Sequence, residues 1–241
     1  MRFICCNFVF SYFLFCCALF GAMPVRAAPV SILDDTGHRV NLPAPAMRII
    51  PLYAALGQNL KAMGLENRII ARTVSDDTFP GTLPSVGTHM RPNPELIAAL
   101  RPDLVIQLEG RSEAGLAAQS LIRLGIPVAR FRIASFNELF SCIERLGTLC
   151  GTEKEAAALV ADMRGRLAAV ASENTPGSLV PEIFFEVRYP NLLGAGADSM
   201  LSDIITAAGG HNSLAGHSGR MVRLGEEMLV AINPDIYLVQ H

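Results

Sequence analysis

The stretch NPELIAALRPDLVI at residues 93–106 is written again, with changed letters, as GEEMLVAINPDIYLV at residues 225–239. With Glu95 set over Glu227 the two run in step: Glu, six residues, Pro-Asp, then an apolar run, with Ala99 over Ala231. Each copy reads as a short helix, a proline break and a strand. A chain that carries such a unit twice, 132 residues apart, is expected to be α/β around each copy.

The segments around the copies agree. VSILDDTGHRVNLP sets Asp34, Asp35 and Gly37 between short apolar runs, the pattern of a small hairpin. Runs of β type at RIIPL (48–52), RIIART (68–73), DLVIQL (103–108) and IPVARFRI (126–133) alternate with the helical stretches ALGQNLKAMGL, NPELIAAL and AGLAAQSLIRLG. Strands separated by helices in this way imply a parallel sheet covered on both faces.

After Ile133 the pattern changes. Ser135 to Glu138 and Thr152 to Glu155 are both capping-box signatures. The second opens a stripe at Leu159, Val160, Met163, Leu167 and Val170, which predicts about 20 residues of helix spanning ~30 Å. SENTPGS (172–178) ends it, and the alternation restarts with EIFFEV, DSMLSDIITAAGG, EEMLVAI and DIYLV. The expected organisation is an N-terminal α/β lobe over 28–134, a helical linker over 135–175 and a C-terminal α/β lobe over 176–241. The fold class is thus α/β, two lobes with mostly parallel sheets joined by one long helix. The second lobe has fewer strands than the first and is expected to be incomplete.

Residues 1–23 carry one early Arg and then an almost uncharged run of Phe, Cys and Leu, and Val25-Arg26-Ala27 offers small residues for cleavage after Ala27. This reads as a signal peptide over 1–27, hence a periplasmic protein. The run is also long enough to stay in place as an anchor. A lipid anchor at Cys16 or Cys17 is disfavoured by the bulky Phe and Leu before them. Without residues 1–27 the chain has 18 basic against 22 acidic groups, a balance that gives no reason to expect nucleic acid as a partner. Cys142 and Cys150 flank IERLGTL. On one helix they stand ~12 Å apart, too far for a disulfide, and both are expected to be free and buried.

Taken in order, DDTGHRVNLP, RIIPL with LKAMGL, VGTHMRPNPELIAALRPDLVI, the long helix, AAGGHN and EEMLVAINPDIYLV carry a resemblance. The chain resembles the periplasmic substrate-binding proteins of ABC importers for iron-siderophores, haem and cobalamin, from residue 30 to the end. The resemblance implies two lobes with a ligand in the cleft between them, no catalysis, and no cofactor other than the transported chelate. It implies a monomer whose partners are a small-molecule metal chelate and an ABC permease of the inner membrane. It also implies a docking acid on each lobe, at the positions matched here by Glu95 and Glu227, with Glu226 leaving the second assignment open by one residue. Each of these acids opens a helix, where N–H groups favour a carboxylate, so ordinary capping explains them too.

Ligands of open parallel sheets bind beyond the carboxyl ends of the strands. Those ends, with the loop GTHMRP, supply Tyr53, His89, Arg91, Arg111, Arg188 and Tyr189 as candidate ligand-binding residues; GGHNSLAGHSGRM adds His211, His217 and Arg220. Aromatic rings and arginines facing one another suit a large, partly apolar chelate that bears carboxylates or catecholates. A rival reading takes His89, His211 and His217 as ligands of a free zinc or manganese ion. Two enzyme-like motifs fail. GHSGR (216–220) lacks the spacing of a nucleophile elbow, and GAGADS (194–199) has Ser199 where a dinucleotide loop needs its third glycine.

Overall fold

The computed structural model describes residues 28–109, 112–174 and 179–240. The expected signal peptide lies outside them. Among the described residues no helix is long and apolar enough to cross a membrane.

The chain opens with the hairpin β1 (Val30–Leu33) and β2 (Arg39–Leu42), paired antiparallel from Val30 opposite Leu42. Its turn is organised by Asp34, which is buried. One Asp34 oxygen accepts from the backbone N–H groups of Thr36 and His38 and from the Thr36 hydroxyl, while the other accepts from the Arg130 N–H at 3.2 Å. Asp35 accepts from the Arg132 N–H and pairs with Arg145 at 2.7 Å. A hairpin too small to have its own core is thereby stapled to the next sheet.

That sheet has the order β3–β4–β5, with β3 Ile49–Pro51, β4 Leu104–Leu108 and β5 Val128–Phe131, parallel throughout. Helices α1 (Ala54–Ala62), α2 (Pro94–Ala99) and α3 (Ser112–Arg123) connect and cover it. Alternation along β4 sends Leu104 and Ile106 into one apolar cluster and Val105 into another, the two-faced burial that a parallel sheet requires. RIIART is not a strand. It keeps single bridges from Ile69 to Ile49 and from Arg72 to Ser85, and Arg72 turns its guanidinium back onto the carbonyls of Thr73, Val74 and Asp76.

Helix α4 (Phe136–Cys150) starts as expected, with the Ser135 hydroxyl accepting from the Glu138 N–H; the Glu138 carboxylate returns one residue further back, to the Ala134 N–H at 2.6 Å. The second box does not form. Thr152 makes no side-chain cap, and its buried hydroxyl has no partner. Helix α5 (Glu153–Glu173) nonetheless runs 21 residues and folds back antiparallel on α4, with Ala156 against Gly147 and Arg164 over the Phe140 ring. Its stripe packs at Leu159, Val160, Met163 and Leu167 but not at Val170, which is exposed. Because α4 is unbroken, Cys142 and Cys150 are free and buried, and burial pushes both thiols up to about 12. At pH 8 both should resist a thiol reagent in the folded chain from residue 28 on and react at once when it is unfolded, which a colorimetric thiol count will show.

The second sheet has the order β10–β6–β7–β9, with β8 also on β6. Its strands are β6 (Glu182–Arg188), β7 (Leu193–Ala195), β8 (His211–Asn212), β9 (Met221–Arg223) and β10 (Ile236–Val239), and its helices α6 (Met200–Ala207) and α7 (Glu226–Ile232). β10 and β8 pair with β6 in parallel; β7 and β9 add an antiparallel flap. The short strands β7 and β9 have too few residues for alternation to be read. The flap is tied down by Glu186, fully buried, whose carboxylate accepts from the Leu192 N–H and the Tyr237 hydroxyl. Burial and that bond push Tyr237 up to about 12.

The repeated Pro-Asp has one structural role in both sheets. Asp103 accepts from the N–H groups of Met47 and Arg48, just ahead of Ile49, which pairs with Leu104. Asp235 accepts from the Glu182 N–H, just ahead of Ile183, which pairs with Ile236. Each aspartate thus begins its own strand and fixes the register of the parallel neighbour. The residues two before them, Arg101 and Asn233, share a left-handed backbone at φ 49° and 45°.

Candidate ligand-binding cleft

A cavity of about 600 Å³ opens between the two sheets, at the carboxyl ends of β3, β4 and β6. The first sheet contributes Leu52 and Tyr53 after β3, and Gln107, Leu108 and Glu109 at the end of β4. The second contributes Val187 from β6, Ser199 to Leu201 at the start of α6, and Arg220 and Met221 at the start of β9. Its walls are mainly apolar, with a few polar groups among them, as small-molecule sites generally are.

Tyr53 is placed by the strand it follows. The Leu52 N–H still donates to Ile106, while Tyr53 turns the chain into α1 with extended backbone, its carbonyl accepting from the Leu56 and Gly57 N–H groups. Opposite it stands His89, ring edge to ring face at 5.4 Å. His89 and Met90 sit at the tip of a narrow loop closed between Thr88 and Arg91. Gly87 makes that closure possible: its φ is +98°, and a Cβ there would lie 2.5 Å from the Arg91 carbonyl oxygen.

The other candidates sit elsewhere. Arg91 does not line the cavity and pairs with Glu113 on α3, through Nε at 2.8 Å and Nη2 at 3.4 Å, both side chains exposed. That bond and the attached charge raise the Arg91 guanidinium and lower the Glu113 carboxyl. Arg188 and Tyr189 are exposed beyond Val187 and do not line the cavity. Arg111 lies outside the described residues. The three imidazoles of the metal reading do not converge: His89 lines the cavity, but His211 pairs with Glu182 at 2.7 Å. Glu182 begins β6, so His211 lies about 16 Å from the end that Val187 gives to the cavity. Among the described residues no three His, Cys, Asp or Glu side chains gather in a way that could hold a metal ion.

Gln107 went unnoticed in the sequence. It is 3% exposed, lines the cavity, and its side-chain oxygen has no partner. A lone amide inside the apolar strand DLVIQL was the available signal. The lobes also touch directly. The Phe136 N–H, at the start of α4, donates to Asp203 on α6 at 2.6 Å, and Arg220 donates to the carbonyls of Glu109 and Ile133 at 3.3 and 3.4 Å.

A profile of the family described as periplasmic binding protein matches residues 49–241. An uncharacterized ABC transporter substrate-binding lipoprotein of Bacillus subtilis is 29% identical over 214 residues, 86% of this chain and 68% of that one. A cobalamin-binding protein of Halobacterium salinarum is 27% identical over 216 residues, and the chain spans 58% of its length. Among solved structures, the periplasmic haem-binding protein of Roseiflexus sp. RS-1 in apo form superposes with a TM-score of 0.68 at 26% identity, covering 80% of this chain and 76% of that one. An ABC-type Fe3+-hydroxamate transport protein of Saccharomonospora viridis shares the fold, with a TM-score of 0.72 at 24% identity over 89% of this chain and 80% of that one. With two α/β lobes facing one another over a cavity, the chain belongs to the periplasmic binding protein family.

Proposed function

We propose that this chain captures a metal chelate (a ferric siderophore, a corrinoid or haem) in the cleft between its lobes, in the periplasm, and hands it to an ABC permease of the inner membrane. The observation that carries the reading is the cavity itself, which lies between the lobes of a periplasmic binding protein and is walled by apolar side chains with Tyr53 and His89 edge to face. The binding involves no covalent chemistry. Tyr53 and His89, their rings at 89° to one another, give two polarisable aromatic surfaces to a large ligand, and Gln107 gives one buried amide to read a polar substituent. Relatives named for cobalamin and haem agree with this class of ligand.

Delivery is assigned to Glu95 and Glu227. Both are exposed, and each opens a helix that follows a cleft-lining segment: Glu95 comes six residues after His89, Glu227 six residues after Met221. Arginines on the permease opposite them would set orientation and on-rate more than affinity.

The test is a titration of the purified mature protein with haem, cyanocobalamin, ferric siderophores and zinc, followed by absorbance and by tyrosine emission. The chain has no tryptophan, so the emission comes from a few tyrosines, of which Tyr53 lines the cavity. Saturable quenching by one chelate class and none by zinc is expected. Binding of zinc alone would refute the reading.

A further inference from the structure

The two glycine-rich stretches that fail as enzyme motifs meet in space. The Gly196 N–H donates to the Arg220 carbonyl, Ala197 to His217 and Asp198 to Gly219, at 3.0 to 3.2 Å. The Gly219 N–H returns a bond to the Asp198 carboxylate at 2.7 Å, and the Ser199 hydroxyl donates to the Gly196 carbonyl. The two are packed too tightly for side chains: a Cβ on Gly196 would lie 2.2 Å from the Gly219 oxygen. What this clamp holds in place is the backbone of Arg220.

The Arg220 side chain then leaves its own lobe. It crosses the cavity edge to the carbonyls of Glu109 and Ile133, the residues that follow β4 and β5. At 3.3 and 3.4 Å both bonds lie beyond the usual range for N–H···O contacts, and both acceptors are neutral. Among the described residues Arg220 is in no ion pair. A guanidinium fits a planar carboxylate through two parallel charge-assisted bonds, which are shorter and stronger than these. The Arg220 backbone is thus held firmly, while its guanidinium rests on two long bonds to neutral acceptors.

We propose that Arg220 is an exchangeable latch: it ties the lobes together over the empty cleft and transfers its guanidinium to a carboxylate of the bound chelate. The ligand class, a chelate bearing at least one free carboxylate directed at the ends of β4 and β5, rests on the chelate reading above. The contact between the lobes does not. Exchange replaces a lobe-to-lobe bond by a lobe-to-ligand bond, while the Asp203 contact to Phe136 keeps the lobes in register.

The experiment compares the wild type with Arg220→Gln and Arg220→Lys, using pairs of probes that differ only in a carboxylate. The pairs are haem with its dimethyl ester and a cobalamin monocarboxylic acid with cyanocobalamin. Arg220→Gln should weaken the acid of the pair about 10- to 100-fold and leave the neutral member within about 2-fold, with Arg220→Lys between. Equal loss for both members, or loss for neither, overturns the proposal. A second readout is the distance between spin labels at Lys61→Cys and Ala215→Cys in the empty protein, which Arg220→Gln should broaden. If the wild type binds no chelate, the proposed function falls and this distance alone decides: a broadened distribution keeps the latch, an unchanged one removes it.

Discussion

Reversing both Glu95 and Glu227 to Lys is expected to abolish uptake of the chelate while its affinity for the isolated protein stays unchanged. The two side chains are exposed at the starts of α2 and α7, and among the described residues neither makes an ion pair. Neither lines the cavity. Their removal thus costs the fold little more than a favourable charge near a helix N-terminus, about 0.3–1 kcal/mol each. At an interface with permease arginines the same change puts like charges face to face, a cost of several kcal/mol. Each single reversal should weaken docking by roughly 10- to 100-fold. The readouts are cellular uptake of labelled chelate and stimulation of the permease ATPase. Full uptake by the double variant would return both glutamates to simple helix caps, and comparing Glu226→Lys with Glu227→Lys decides which residue docks on the second lobe.

Asp34→Ala should cost about 3 kcal/mol of stability, as much as truncating a buried apolar side chain. Its carboxylate is fully buried and accepts three backbone N–H bonds and one hydroxyl, one of them from Arg130 on β5. Truncation leaves those donors without a partner and unfastens the hairpin from the first sheet. A urea melt will measure the loss, and the exchange rates of the β1 and β2 amides should rise with it. Asp35→Ala should cost less, since its bonds to Arg132 and Arg145 are nearer to solvent.

The elements that the sequence placed well are those whose signal is local. The repeat located two helix-strand units, and the capping pattern at Ser135 and the long stripe after Ala156 located α4 and α5. The repeat also carries a structural signal: its aspartates, Asp103 and Asp235, set the register of both parallel pairs. What the sequence concealed depends on contacts between distant residues. Arg91 belongs to the same loop as His89, yet it pairs with Glu113, 22 positions on. Val170 continues the apolar period of α5 beyond the point where α4 is there to cover it. Thr152 has the letters of a capping box without the geometry. Arg220 lies in GHSGR, and its place at the cavity edge depends on the loop at Gly196 packing against the one at Gly219.

A ligand held by both lobes at once is tested most directly by hydrogen–deuterium exchange with and without saturating chelate. Protection is predicted in two separated sets of amides, one around Tyr53, His89 and Glu109 and one around Val187, Met200 and Met221. Protection confined to one set, or to residues away from the cavity, would contradict capture between the lobes.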